Sequence, residues 1–233
     1  MASKALEDYL KIIYKLESAP PSEKGVQTSA IAERLSISQA SVSNMLKKLS
    51  ENHYIEYAPY YGVKLTESGR KIALNMVRKH RILEQYLVER LGYSWDEVDE
   101  EAEVLEHSIT DKLANRMWEV LGQPTHDPHG SPIPTADGVI IEQNWRALSE
   151  IEVGQAVTVK RIKNRSPDEL RYLASIGLTT GAVVKVKESL PANGPLMVLI
   201  NNQTAHAIDY QLAQFLLVGE RLVVESLKGE RNE

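Results

Sequence analysis

Residues 28–65 read TSAIAERLSISQASVSNMLKKLSENHYIEYAPYYGVKL. An apolar-periodic segment from Thr28 to Leu35 stops at an SIS turn, and a second places Val42, Met45, Leu46 and Leu49 on one stripe at helical spacing. Thr28 or Ser29 opens the first helix and Ser38 or Gln39 the second, side chains that can accept from the first backbone N–H groups. Two short helices around a tight turn predict a helix-turn-helix. β-Forming residues on both sides of a Pro-Tyr-Tyr-Gly tip then predict a β-hairpin, so the stretch reads as a winged helix.

The pattern extends in both directions. Upstream, Leu6, Leu10, Ile13 and Leu16 give a helix that ends at SAPPSEKG. Downstream, helical periodicity runs from Glu67 to about Leu121, and the run AEVLEHSITDKLANRMWEVL reads as one helix. A Pro- and Gly-rich loop, GQPTHDPHGSPIPTADG, breaks it. Beyond about Ser149 the strands QAVTVKRI, GAVVKVKES and PLMVLINN, interrupted by the helical SPDELRYLASIG, predict a small β-barrel. The expected class is α+β. A winged helix-turn-helix domain spans 1–70, a helical domain 71–140, which the resemblance given below makes the dimerisation domain, and a small β-barrel 150–226, which it makes SH3-like.

Composition limits the chemistry. A chain of 233 residues, 42% hydrophobic and 25% charged, is globular and long enough for more than one core. With no cysteine there is no disulfide framework, zinc ribbon, iron–sulfur cluster or thiol catalysis, and any metal must be held by oxygen and nitrogen. No apolar run approaches the ~20 residues of a membrane span. The amphipathic, charged N-terminus does not read as a signal peptide, so no membrane association and a cytoplasmic location are expected. The net charge of −5 is unevenly spread: residues 84–119 hold 11 acids against 3 bases, residues 1–70 hold 8 against 9. Acids gathered in the middle suit a cation there and leave the N-terminal module free to approach phosphate.

In a helix-turn-helix the second helix enters the major groove by its N-terminal end. Ser38, Gln39, Ser41, Ser43 and Asn44 are then the groove-facing group, with Thr28, Lys47, Lys48, Tyr61 and Lys64 toward backbone, and Tyr60 beside Tyr61 at the rim. Gln39 and Asn44 can pair bidentately with adenine, whereas hydroxyls discriminate little, so base readout should be modest and supplemented by phosphate contacts.

In the acidic segment, Glu103, Glu106 and His107 stand at i, i+3 and i+4, so two carboxylates and an imidazole share one helix face. That is half of a metal site. The pattern differs by one residue from the His-x-x-Glu-His zinc-peptidase motif; glutamate in the first position and the winged-helix pattern argue against a hydrolase. Asp8 and His80 lie on helices flanking this one.

Taken together, LEDYLKIIYKLE, IAERLSISQASVSNMLKKL, YGVKLTESGRKIA, VRKHRILEQYL, EEAEVLEH and DPHGSPIP resemble, in order and spacing, the diphtheria-toxin-repressor family of metal-dependent regulators. Its manganese-sensing branch is the nearest in kind. The resemblance covers nearly the whole chain and implies a DNA-binding homodimer on a palindromic double-stranded operator, a C-terminal barrel like that of ferrous-transport accessory proteins, and no enzyme activity. It also implies a primary metal site of Asp8, Glu103, Glu106 and His107. An ancillary site would draw on His80, Glu84, Asp127 and His129, with Asp168 or Glu169. Iron-sensing members resemble this chain but carry methionine at position 8 and cysteine at position 103, and carboxylates in their place suit manganese. Mn2+ is thus the expected cofactor, Fe2+ the alternative, and other divalent transition metals are expected to substitute in vitro. Two-domain manganese regulators carry glutamate where Lys11 stands, so their closely spaced metal pair is not expected here. A metal-independent winged-helix repressor is the other reading of the same fold.

Overall fold

The computed structural model describes residues 3–17, 25–58, 61–141, 143–163 and 166–220. The Pro59–Tyr60 tip, most of the first linker and the segment beyond Glu220 lie outside the described residues. The chain forms two compact units, one of Met1–Ser94, Val98–Asp127 and Pro132–Ile141, the other of Trp95–Glu97, Pro128–Ser131 and Glu142–Glu233.

The first unit carries α1 (Lys4–Glu17), α2 (Thr28–Leu35), α3 (Gln39–Glu51), β1 (Ile55–Ala58), β2 (Gly62–Leu65), α4 (Glu67–Leu91), α5 (Val98–Leu105) and α6 (Asp111–Val120). Ile31, Val42, Leu46, Leu49 and Val63 are buried in one core with Leu10 and Ile13 of α1, where the apolar stripe of the recognition helix packs against α2 and β1. Each such side chain contributes about 1.5–3 kcal/mol of burial. Ser38 caps α3 by accepting from Ser41 N. The start of α2 differs from expectation: its N-cap is Gln27, without a side-chain cap bond, and Thr28 and Ser29 lie in the first turn. Val26 explains this, because it exchanges backbone hydrogen bonds with Val63 and holds the chain extended up to the helix.

The wing is the antiparallel pair β1–β2, in register Ile55↔Leu65 through Ala58↔Gly62. Two contacts fasten α1 to its base: Glu17 accepts from Leu65 N at 2.7 Å and from Arg70 Nη2 at 2.6 Å. Thr66 then caps α4 by accepting from Gly69 N. A Cβ on Gly69 would lie 1.9 Å from Tyr54 O, so Gly69→Ala must push the first turn of α4 away from the wing. We expect a loss of about 1–3 kcal/mol, the usual cost of overpacking, read as a lowered denaturant midpoint.

The acidic run is two helices, not one. α5 ends at Leu105 and α6 begins at Asp111. Thr110 caps α6 by accepting from Leu113 N, and this stop signal overrides the apolar periodicity on either side. Glu106 N still bonds to Ala102 O, so Glu103 and Glu106 keep helical register although Glu106 and His107 lie past the assigned helix.

The second unit holds β3 (Arg146–Ala147), a 3₁₀ turn (Leu148–Glu150), β4 (Ala156–Ile162), α7 (Pro167–Ser175), β5 (Val183–Ser189), β6 (Leu196–Ile200), β7 (Thr204–Ile208), α8 (Tyr210–Phe215) and β8 (Leu216–Glu220). Its six-stranded antiparallel sheet runs β3-β8-β4-β5-β6-β7 over a core that includes Val159, Leu173, Val184, Val198 and Leu216. Among the described residues β3 and β7 do not pair, so the small SH3-like sheet is not closed by hydrogen bonds into the expected barrel.

Candidate metal centre and DNA-reading surface

Three helices of the first unit bring their charged side chains to one place. From α1, Asp8 Oδ1 stands 2.8 Å from His107 Nε2, and Glu106 Oε1 lies 3.7 Å from the same nitrogen. One donor atom each from Asp8, Glu106 and His107 lies within 4.8 Å of the others. His107 Nε2 is buried but makes no aligned hydrogen bond, despite the 2.8 Å to Asp8. Close approach without alignment is what lone pairs aimed at a common cation produce, so these residues fit a divalent metal. On the other side of the ring, Nδ1 lies 2.8 Å from Glu7 Oε2. A proton held between Nδ1 and Glu7 leaves Nε2 as the donor toward the cluster.

Glu106 is fully buried, as is Lys11 of α1. Lys11 Nζ donates to Glu103 Oε2 at 2.6 Å and to both oxygens of Glu106 at 2.7 Å, and lies 3.1 Å from His80 Nδ1. Glu103 thus joins the centre through Lys11. His80, from α4, places Nδ1 2.7 Å from Glu106 and Nε2 3.1 Å from Asp99 and 3.6 Å from Glu84.

The charges respond to this crowding. Burial raises the pKa of Asp8, with Glu103 and Glu106 adding to the rise and His107 opposing it. Burial also works against charge on Glu103, but Lys11 outweighs it and holds that carboxyl below its usual range. At His80 burial disfavours the cation, yet Glu84 and hydrogen bonds to Asp99 and Glu106 prevail and push its pKa up to about 10. The hydrogen bond from His80 in turn lowers the pKa of Asp99. Carboxylates gathered this closely, with Glu84 and Glu106 buried among them, set the electrostatics for a cation.

Of the residues expected at the ancillary site, His80 and Glu84 stand together on α4, joined by Asp99. Asp127 of the same unit lies 3.7 Å from Arg81 Nε. The remaining three belong to the second unit. There His129 Nε2 lies 2.8 Å from Trp95 O, Asp168 pairs with Arg171, and Glu169 forms a capping box with Ser166.

On the recognition helix Gln39, Ser41, Asn44, Lys47 and Lys48 are exposed, as are Ser38, Tyr61 and Lys64; Thr28 and Ser43 are half-buried. Ser38 and Ser41 are also hydrogen-bonded to each other at 2.9 Å. That contact leaves Gln39 and Asn44 as the longer polar side chains of the helix's exposed N-terminal half.

Three family descriptions match the chain in succession. They are "Iron dependent repressor, N-terminal DNA binding domain" over residues 1–63, "Iron dependent repressor, metal binding and dimerisation domain" over 66–135, and "FeoA domain" over 146–220. The iron-dependent repressor IdeR of Mycobacterium tuberculosis (strain ATCC 25618 / H37Rv) is 31% identical over 223 residues, 87% of this chain and 94% of the relative. The chain belongs to the iron-dependent repressor family. A diphtheria toxin repressor from Corynebacterium efficiens is 29% identical over 87% of the chain and 93% of its own length. Among solved structures, one described as a manganese-dependent transcriptional repressor in complex with manganese is 39% identical, with a TM-score of 0.83, covering 92% of this chain and 99% of that one. ScaR with bound Cd2+ is 29% identical, with a TM-score of 0.77 and coverage of 94% and 100%. As a member of this repressor family the chain is a metal-dependent transcriptional regulator with a DNA-binding and a dimerisation domain, and not an enzyme. Among its described residues no helix is long and apolar enough to cross a membrane.

Glu7 and Asp99 were not expected at the candidate metal centre, and Lys11 only through the resemblance, as the residue that stands where two-domain regulators carry a glutamate. Asp99 was findable, since it stands one helical turn before Glu103. Glu7 orients His107 from outside the cluster, and Glu7→Gln is expected to weaken manganese binding about 10–100-fold, as loss of an outer carboxylate typically does, by calorimetry on the intact chain.

Proposed function

We propose that the chain is a manganese-responsive repressor whose centre clasps α1 to α5. The observation that carries this reading is the convergence of Asp8, Glu106 and His107, two hard oxygen donors and an imidazole, from opposite sides of the clasp. Mn2+ suits that set, with Fe2+ the nearest competitor. Asp8, Glu103, Glu106 and His107 are the proposed primary residues. His80, Glu84 and Asp127 are proposed for an ancillary ion in the first unit, while His129, Asp168 and Glu169 remain candidates from the resemblance alone. The manganese in the similar solved structure supports this choice of metal.

When bound, the cation supplies charge neutralisation for carboxylates that otherwise repel one another. Asp8 pulls on α1, and α1 is fastened to the wing and α4 through Glu17. The position of α1 against Glu106 and His107 therefore sets the position of the recognition helix. In a homodimer that position decides whether two recognition helices match palindromic half-sites about one helical turn, roughly 34 Å, apart. Gln39 and Asn44 then read base edges while Lys47, Lys48 and Lys64 neutralise phosphates. The readout is repression of metal-uptake genes in the cytoplasm when manganese is plentiful, with domains at 1–70, 71–140 and 150–226.

The test is a mobility shift on the chain's own promoter DNA with manganese, ferrous iron, zinc or a chelator. Manganese should give the shift at the lowest free concentration and chelator should abolish it. A preference for iron would sink the manganese reading.

A further inference from the structure

At its C-terminal end α1 meets the wing through the carboxylate of Glu17. We propose that Glu17 is the positioning residue that carries the state of the metal centre to the wing, so that Lys64 meets phosphate only in the metal-bound form. The inference rests on the metal reading of Asp8, Glu106 and His107 above, and it names the DNA contact that the metal regulates.

Packing in the first unit singles out the wing. α1 packs chiefly on α4, β2 and α2, whereas α3 packs on α2 and β1. A movement of α1 therefore arrives at β2 directly, and at the recognition helix only through its neighbours. β2 is held along both edges. β1 pairs with one of them; on the other, Val63 exchanges backbone hydrogen bonds with Val26, and Leu65 N donates to Glu17 Oε1 at 2.7 Å. The carboxylate takes the place that a carbonyl of a third strand would fill. Val63 and Leu65 are buried while Lys64 between them is exposed, so these two edge contacts fix the strand from which Lys64 projects.

Helix geometry and charge support the same role. Glu17 stands in the last turn of α1, where the helix dipole favours a cation, so this carboxylate is kept in place by what it bonds. Its Oε2 accepts from Arg70 Nη2 at 2.6 Å, and the Arg70 guanidinium lies 5.8 Å from the ring centroid of Tyr14, one turn earlier on α1. The end of α1 is thereby gripped by the wing's base and by the first turn of α4. Asp8 lies about 13 Å up the axis from Glu17, at 1.5 Å per residue. The segment between them, YLKIIYKL, holds no Pro or Gly at which it would kink. α1 is a stiff lever with one end in the metal cluster and the other on β2.

Fluorescence anisotropy with labelled promoter DNA, on the full chain at several salt concentrations with manganese or chelator, tests this. In the wild type, the logarithm of affinity should fall more steeply with the logarithm of salt when manganese is present, by about 1 for each protomer's Lys64. Lys64→Ala should remove that difference, whereas Lys47→Ala should lower the slope in both states. Glu17→Ala should also remove the difference, while binding manganese without DNA as tightly as the wild type does. Glu17→Gln, which can still accept from Leu65 N, should restore most of it. In the metal-free protein, hydrogen exchange at Leu65 N should quicken in Glu17→Ala and that at Val63 N should not. A slope difference that survives Lys64→Ala, or one of full size in Glu17→Ala, would overturn the role of Glu17. The Lys64 arm decides the matter even where Glu17→Ala fails to fold. Absence of any manganese effect on wild-type DNA affinity would overturn the metal reading, and this inference with it.

Discussion

His107→Ala is expected to reduce operator affinity at saturating wild-type manganese by about 100-fold, to the level of the metal-free protein. Couplings between two sites on a switching protein are typically worth about 1–3 kcal/mol, or 5–150-fold, and loss of the clasp forfeits all of that. His107 is the nitrogen donor of the Asp8–Glu106–His107 cluster, and its Nε2 is the buried atom without an aligned hydrogen bond. Asp8 and Glu106 supply only oxygen, so no other residue of the cluster replaces the imidazole nitrogen. His107 is not among the residues of the helix-turn-helix core, so the variant should stay folded. Anisotropy titration with labelled promoter DNA, beside a thermal scan, separates loss of switching from loss of fold. Residual binding should depend on salt as the metal-free wild type's does, since the lysines proposed to meet phosphate are untouched.

The double change Asp8→Met with Glu103→Cys should lower the ratio of manganese to iron affinity by about tenfold or more, about 1.4 kcal/mol. Thioether and thiolate donors are soft, and they take the places of two hard carboxylates. The substitution has a second effect: removing Glu103 takes away one acceptor of Lys11, so the apo protein should also be less stable. Anaerobic competition between the two metals gives the ratio directly. A preference unchanged from the wild type would mean that donor softness at positions 8 and 103 does not set selectivity.

Much of this architecture was legible because periodicity and caps agreed. Val42, Leu46 and Leu49 predicted the buried face of α3, and Ser38 its start. Where two local signals competed, the reading missed. The apolar stripe across residues 102–121 suggested one helix, while Thr110 starts a new one. The start of α2 was misplaced for a different reason, since the pairing of Val26 with Val63 is a tertiary contact with no local trace. The candidate metal face was suggested by i, i+3 and i+4 spacing. The contacts around it were not: Lys11, which only the resemblance placed there, and Glu7 meet Glu106 and His107 across about a hundred residues of chain, and a lysine in an amphipathic helix ordinarily reads as solvated.

The central claim is that metal ligation and DNA binding draw on one conformational equilibrium. Linkage makes that claim measurable without reference to any gene. Manganese affinity should be determined by the resonance signal of free Mn2+, with and without a saturating duplex from the chain's own promoter. The account predicts that DNA tightens manganese binding by the same factor by which manganese tightens DNA binding, roughly 5–150-fold. Equal manganese affinities in the presence and absence of DNA would contradict it.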